Sequence, residues 1–133
     1  MKLKVLFFAL TACLATACSE DPEGNSYNGT WKLTNATVTE GPSLEYTPGE
    51  VIWTFDEDSH RLTVHNNVVT LGPENIYSGL ASGVYSYTVH KTDGINVLYV
   101  DGIKQGDMAN TSENLVISSE TQMDEGLKKV FSR

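Results

Sequence analysis

The segment VIWTFDEDSHRLTVH, residues 51–65, decides the fold class. Apolar and polar residues alternate on both sides of an acidic turn at residues 56–59. The apolar positions that share one face are Val51, Trp53, Phe55, Leu62 and Val64. A period of two residues is typical of a half-buried β-strand. The segment therefore predicts an antiparallel hairpin with one apolar face.

Further short alternating runs follow, separated by Gly, Asn, Asp and Pro, and no long 3.6-residue period appears from Gly29 onward. The predicted strands are Gly29–Val38, Glu50–Asp56, Arg61–His65, Val68–Leu71, Gly83–Lys91, Ile95–Asp101, Leu115–Ser119 and Leu127–Ser132. Residues 72–79 are predicted as a loop, and residues 103–114 as a loop or one short turn of helix. Eight short strands predict an all-β fold, a small antiparallel up-and-down β-barrel, with an open sandwich as the alternative.

The amino-terminal end predicts where the protein works. Lys2 and Lys4 precede an apolar run that reaches Cys18, after which the composition turns acidic. This run is shorter than the roughly 20 apolar residues of a transmembrane helix, and its layout is that of an export signal. We expect a signal peptide at residues 1–17, an acidic flexible tether at residues 18–27 and the folded domain at residues 28–133.

Either of two cysteines could accept a lipid. The residues before Cys13 resemble the lipobox of bacterial lipoproteins best, but the chain after Cys13 is still apolar. The residues before Cys18 match less well, but the hydrophilic chain begins directly after it. We therefore predict lipidation at Cys18, with Cys13, or secretory cleavage after Ala17, as the alternatives. The acidic residues that follow resemble the export signal of Bacteroidetes-type lipoproteins, which implies an outer-membrane lipoprotein on the cell-surface or periplasmic face.

The charge balance excludes one class of partner. The chain has a net charge of −8, and loss of the leader removes two of its nine basic residues but none of its 17 acidic ones. Nucleic acid is not expected as a partner, because binding it requires a basic patch. Membrane attachment is expected through N-terminal acyl chains. The remaining domain is expected to be a soluble monomer.

Motifs along the folded part resemble those of the lipocalins. Gly29-Thr30-Trp31 is similar to the Gly-x-Trp signature at the start of their first strand. Residues 82–87 are similar to the central Gly-x-Tyr strand of small lipocalin-like lipoproteins, and residues 128–133 to their closing Phe-x-Arg strand. The resemblance implies a calycin-type barrel in which Trp31 and Arg133 meet at the closed floor. The chain is shorter than full-length lipocalins and lacks their C-terminal helix and disulfide.

Aromatic residues on the predicted strands are the candidate ligand contacts. They are Trp53, Phe55, Tyr85, Tyr87 and Tyr99. The alternative is that they fill the barrel, because eight strands leave an interior just wide enough for side chains.

Catalytic and metal chemistry are not expected. His60, His65 and His90 lack the close spacing of metal ligands. No Gly-x-Ser-x-Gly elbow occurs, and the carboxylate pairs fall in predicted turns rather than across a cleft. No cofactor or enzymatic activity is expected. Two functions remain: a lipid-anchored extracytoplasmic module that carries a small apolar or amphipathic ligand in its barrel, or a protein-interaction module with a filled barrel, such as an inhibitor or an accessory subunit of a surface complex.

Overall fold

A computed structural model describes residues 26–70, 72–119 and 126–133. The expected signal peptide, Cys18 and most of the expected tether lie outside these residues. The described part contains β1 (Gly29–Thr37), β2 (Ser43–Glu45), β3 (Val51–Asp56), β4 (Arg61–Asn66), α1 (Pro73–Tyr77), β5 (Gly83–Thr92), β6 (Ile95–Val100), β7 (Ile103–Asn110), β8 (Asn114–Ser119) and β9 (Leu127–Ser132). No helix in these residues is long and apolar enough to cross a membrane.

The strands form a closed antiparallel barrel of eight strands. From β3 to β9 each strand pairs with the next one along the chain, and β1 pairs with β3 on one edge and with β9 on the other. The short β2 pairs with residues 35–37 of β1, whereas β3 pairs with residues 29–32. The predicted barrel is therefore confirmed, and the open sandwich is wrong.

The hairpin that decides the fold class forms as predicted. Trp53 lies opposite Val64, and Phe55 lies opposite Leu62. All five apolar positions of its inner face are buried. The turn is held by the Asp56 carboxylate, which accepts a hydrogen bond from the backbone N–H of Asp58 at 3.0 Å. This is the local bond for which Asp is favoured in turns.

The segment predicted as a loop or a helical turn, residues 103–114, is instead β7 and the start of β8. Gly106 and Met108 are its inward positions. A Cβ atom on Gly106 would clash with the backbone carbonyl of Ser118 on β8, so the closeness of the two strands requires glycine. An inward position without a side chain leaves no trace in the hydrophobic pattern.

Two other predictions about the strands need correction. Residues 67–70 are not a strand, because the Asn66 side chain accepts a hydrogen bond from the Val68 N–H at 3.0 Å and turns the chain out of β4. The loop predicted at residues 72–79 contains α1, which begins at a proline, a residue favoured in the first turn of a helix. The barrel has eight strands, as predicted, because the gain of β7 offsets the loss of the strand expected from Val68. The short β2, which adds a ninth strand to the sheet, was not predicted.

The two ends of the barrel differ. One end, here the Arg133 end, carries the start of β1, the turns at residues 57–60, 93–94 and 111–113, and Arg133. The other end, here the α1 end, carries the loop at residues 38–42, the turn at residues 101–102 and the long connection from β4 to β5. Tyr46 fixes that connection, since its buried hydroxyl donates to the Glu74 carbonyl oxygen at 2.7 Å.

Candidate functional site

The interior of the barrel is occupied by aromatic rings. Trp53 contacts Phe131 and Phe55, with ring centroids 4.9 Å and 6.1 Å apart, and Phe55 contacts Tyr87 at 5.1 Å. Trp31 is fully buried in the same core. Trp53, Phe55 and Tyr87, which the sequence offers as ligand contacts, are thus brought together, but they contact one another.

Of the other two candidate ligand contacts, Tyr85 packs against this core, whereas Tyr99 does not. Tyr85 is half-buried, and its hydroxyl donates to the Ala81 carbonyl oxygen at 2.6 Å. Tyr99 lies on the outer face of the barrel opposite Thr88, where its ring and the His90 ring meet edge to face with centroids 5.3 Å apart. Tyr99 therefore cannot line the interior, which corrects that part of the prediction.

Buried polar groups interrupt the apolar interior. Lys129, which sequence reasoning missed, is only 5% exposed and places its Nζ 5.9 Å from the centre of the Trp53 ring. Such a contact attracts a cation to the ring face. The indole N–H of Trp53 and the hydroxyl of Tyr87 are buried and make no hydrogen bond of good geometry within the described part of the chain.

The floor of the barrel is formed by the first and last described strands. The Arg133 guanidinium lies 4.1 Å over the Trp31 ring. It also donates to the carbonyl oxygens of Ser26 at 2.7 Å and of Asn28 at 2.8 Å. This is the Trp31–Arg133 contact that the lipocalin resemblance implies.

The segment Ser26–Asn28, here called the strap, crosses the Arg133 end. The Trp31 indole N–H donates to the Tyr27 carbonyl oxygen at 2.8 Å. The Ser26 hydroxyl donates to the Glu57 carboxylate at 2.8 Å, and the Glu57 N–H donates to the Asn28 side chain at 2.8 Å. Ser26 and Tyr27, which the sequence assigns to the flexible tether, are therefore part of the folded domain.

Tyr27 covers the interior at this end. Its ring packs edge-on against Phe55 at 5.5 Å and against Tyr87 at 6.2 Å. Burial raises the pKa of Tyr87, and Tyr27, Glu57 and Asp56 raise it further. The pKa of Tyr27 is also raised: burial is the largest cause, the nearby Tyr87 hydroxyl lowers it, and Glu57 makes a smaller contribution that raises it. Both hydroxyls therefore stay protonated at neutral pH.

An open groove lies in front of the strap. The β4–β5 pairing ends at Arg61 and Ser86, whereas the β5–β6 pairing continues to Thr92 and Ile95, so that the far part of this hairpin, here called the arm, does not pair with β4. The groove between the arm and the strap has a volume of about 690 Å³. The residues that matter for its chemistry are Tyr27, Glu57, Lys91, Ile95, Asn96 and Met108.

A smaller cleft of about 190 Å³ at the α1 end has a structural explanation. The Asn66 amide donates to the Ser78 hydroxyl at 2.9 Å, and that hydroxyl donates to the Asn75 carbonyl oxygen at 2.8 Å. The Ser82 hydroxyl donates to the Asn66 carbonyl oxygen at 3.2 Å. These hydrogen bonds stabilise the β4–β5 connection. Because the polar groups of the cleft already pair with one another, few are left to bind a ligand.

Within residues 26–70, 72–119 and 126–133, no three His, Cys, Asp or Glu side chains are arranged so that they could hold a metal ion. Comparisons of the chain with protein-family models, with characterised proteins and with solved structures give no match.

Proposed function

We propose that the protein is a lipid-anchored, extracytoplasmic recognition module without catalytic activity, which binds its partner outside a filled barrel. The observation that carries this proposal is the row of contacting rings from Phe131 through Trp53 and Phe55 to Tyr87. A barrel filled in this way has little room for a carried ligand. The groove at the Arg133 end has a volume within the roughly 300–1,000 Å³ range of ligand pockets.

The anchoring and the family are proposed from the sequence. The charged start, the apolar run and the hydrophilic switch after Cys18 favour an outer-membrane lipoprotein. The lipocalin-like assignment is supported by the eight-stranded closure and by the Trp31–Arg133 contact. Neither feature identifies the partner, because one fold serves many functions.

A small ligand inside the barrel is the second candidate, and one observation favours it. The Tyr87 hydroxyl is buried without a well-formed hydrogen bond in the described residues, and leaving a buried donor unpaired is costly. A ligand with a hydrogen-bond acceptor would pair with this hydroxyl once the Tyr27 ring moved aside.

Site-specific photo-crosslinking in the natural host separates the two candidates. The crosslinking residue is placed at Ile95, which lines the groove, or at Val84, an exposed control on the outer face of β5; their exposed fractions are 49% and 60%. We expect a defined adduct from position 95 and none from position 84. Equal adducts from both positions would contradict recognition at the groove. A small molecule retained by the purified protein in native mass spectrometry, and lost in Tyr87→Phe, would favour the interior ligand instead.

A further inference from the structure

The walls of the groove carry opposite charges. Glu57 stands on one wall, in a turn that also contains Asp56 and Asp58. Lys91 stands on the opposite wall, on the arm. Because Tyr87 and Leu98 are buried, strand alternation places Lys91 and Asn96 on the inner side of the arm, toward the strap. A ligand in this groove therefore meets the carboxylate of Glu57 and the ammonium group of Lys91.

The groove also has an apolar component. The half-buried Tyr27 ring and the buried Met108 side chain lie on its inner side, and Ile95 is half-exposed at the arm. Met is a side chain that adapts to different apolar shapes. An apolar group of a ligand would lose contact with water here, which is the main source of favourable binding energy for such groups.

Hydrogen-bonding capacity remains unused on both walls. The side chains of Lys91 and Asn96 form no hydrogen bond or ion pair within residues 26–70, 72–119 and 126–133. One oxygen of Glu57 accepts the hydrogen bond from Ser26, which leaves the other available. An amide side chain such as that of Asn96 can both donate to and accept from a peptide group.

We propose that this groove binds a short peptide with free ends and an apolar side chain, an inference that rests on the proposed recognition function. The amino terminus of the peptide pairs with Glu57, and its carboxylate pairs with Lys91. Its backbone amide bonds to Asn96, and its side chain packs against Tyr27, Met108 and Ile95. Each of these features of the ligand is complementary to a group on the groove wall.

The charge arrangement disfavours simpler ligands. An anion alone would approach the three carboxylates of residues 56–58, and like charges repel. A cation alone would leave Lys91 without a counter-charge. A fully apolar molecule would displace the water that is bonded to the polar groups of the walls and would offer no hydrogen bonds in its place. A zwitterion avoids all three costs.

The test is an NMR titration of the full chain, labelled with ¹⁵N, with the tripeptide Gly-Leu-Gly. We expect saturable shifts of the backbone amides of Ile95, Asn96 and Met108, and none at the α1 end. Exposed ion pairs contribute little, so acetylating the amino end or amidating the carboxyl end should each weaken binding about twofold to fivefold. Triglycine, which lacks the apolar side chain, should bind about tenfold more weakly.

Two variants assign the ends of the peptide. Lys91→Gln should weaken Gly-Leu-Gly as much as amidation does, and should not weaken the amidated peptide further, because both changes remove the same interaction. Glu57→Gln can still accept the Ser26 hydrogen bond. It should weaken Gly-Leu-Gly as much as acetylation does, and should not weaken the acetylated peptide further. Lys104→Gln, an exposed lysine on β7 outside the groove, is the matched control and should bind normally.

Two outcomes would overturn this inference without touching the proposed recognition function. If the amidated peptide binds as well as the free one, the ligand is the amino terminus of a longer chain rather than a short peptide. If no tripeptide shifts the groove amides while Ile95 still crosslinks in the host, the groove recognises a different chemistry. If both experiments fail at the groove, the proposed function fails as well.

Discussion

At the scale of single residues, Arg133 links the end of β9 to Trp31 on β1 and to the strap. Its guanidinium covers the Trp31 ring and donates to two carbonyl oxygens of the strap. A planar guanidinium can stack on a ring and donate in its own plane at the same time, which a lysine cannot do. Although terminal residues are normally dispensable, this one is expected to contribute to stability.

Replacing Trp31 and replacing Arg133 should both lower the free energy of unfolding, but by different amounts. Trp31→Ala leaves a cavity in the core and should cost about 3–5 kcal/mol. Arg133→Ala should cost less, and Lys104→Ala, an exposed control, should be close to neutral. Chemical denaturation measures all three, and a double-mutant cycle should give a coupling above about 0.5 kcal/mol. Additive effects of the two substitutions would contradict a direct energetic role for the contact.

Tyr46 makes stability depend on pH at the alkaline end. Burial raises its pKa to about 12, and the carboxylates of Glu74 and Glu50 add to this effect. Below the ordinary tyrosine pKa of about 10 the hydroxyl is protonated in the folded and unfolded states, so its contribution to stability is fully present. Between pH 10 and 12 only the unfolded chain releases the proton, and stability falls as the pH rises.

Tyr46→Phe should therefore flatten this alkaline loss. At pH 8 the variant should be less stable by about 0.5–1.5 kcal/mol, because the hydrogen bond to the Glu74 carbonyl is missing. Between pH 10 and 12 its free energy of unfolding should fall less steeply than that of the wild type. Urea denaturation at pH 8, 10 and 11 gives both quantities. Parallel pH profiles would show that Tyr46 does not contribute to the slope.

At the scale of elements, the hairpin of β3 and β4 could be predicted because every inward position carries an apolar side chain. β7 could not, since one of its two buried positions is Gly106, which contributes no side chain to the hydrophobic pattern. In β6 both faces carry apolar residues, so alternation does not reveal which face is inside, and Tyr99 was misplaced. Lys129 was missed for a related reason: a buried lysine in a strand looks exposed in the sequence.

Gly106→Ala tests the close approach of β7 to β8. The added Cβ would meet the Ser118 backbone, and the residue has a φ of +141°, which side chains rarely adopt. Backbone strain alone costs about 1–3 kcal/mol, and the contact with Ser118 should add to it. Gly94→Ala is the matched control, with a φ of +81° and no atom near its Cβ. If Gly106→Ala were no more destabilising than Gly94→Ala, the close packing of these strands would be wrong.

At the scale of the whole molecule, the strap decides where the folded domain begins. Tyr27 covers the buried ring of Phe55, and Ser26 and Asn28 hold the strap to the turn after β3. The sequence could not show this, because the apolar Tyr27 stands alone in a polar stretch. Deleting residues 19–25 should leave the thermal midpoint nearly unchanged, whereas deleting residues 19–27 should lower it by several degrees. Equal thermal midpoints for the two deletion variants would show that the strap does not stabilise the folded domain.

The strap also relates the groove to the expected membrane anchor. From Cys18 to Ser26 the chain advances by eight residues, which can span at most about 29 Å. Acylation at Cys18 would therefore hold the Arg133 end, and the groove beside it, within this distance of the membrane surface. In the host, Cys18→Ala should release the protein from the membrane fraction or block its processing, while Cys13→Ala should leave it attached. Membrane retention of the Cys18 variant, or release of the Cys13 variant, would contradict lipidation at Cys18. In that case the restraint on the groove would be looser, at most about 47 Å, because five further residues would separate it from the anchor.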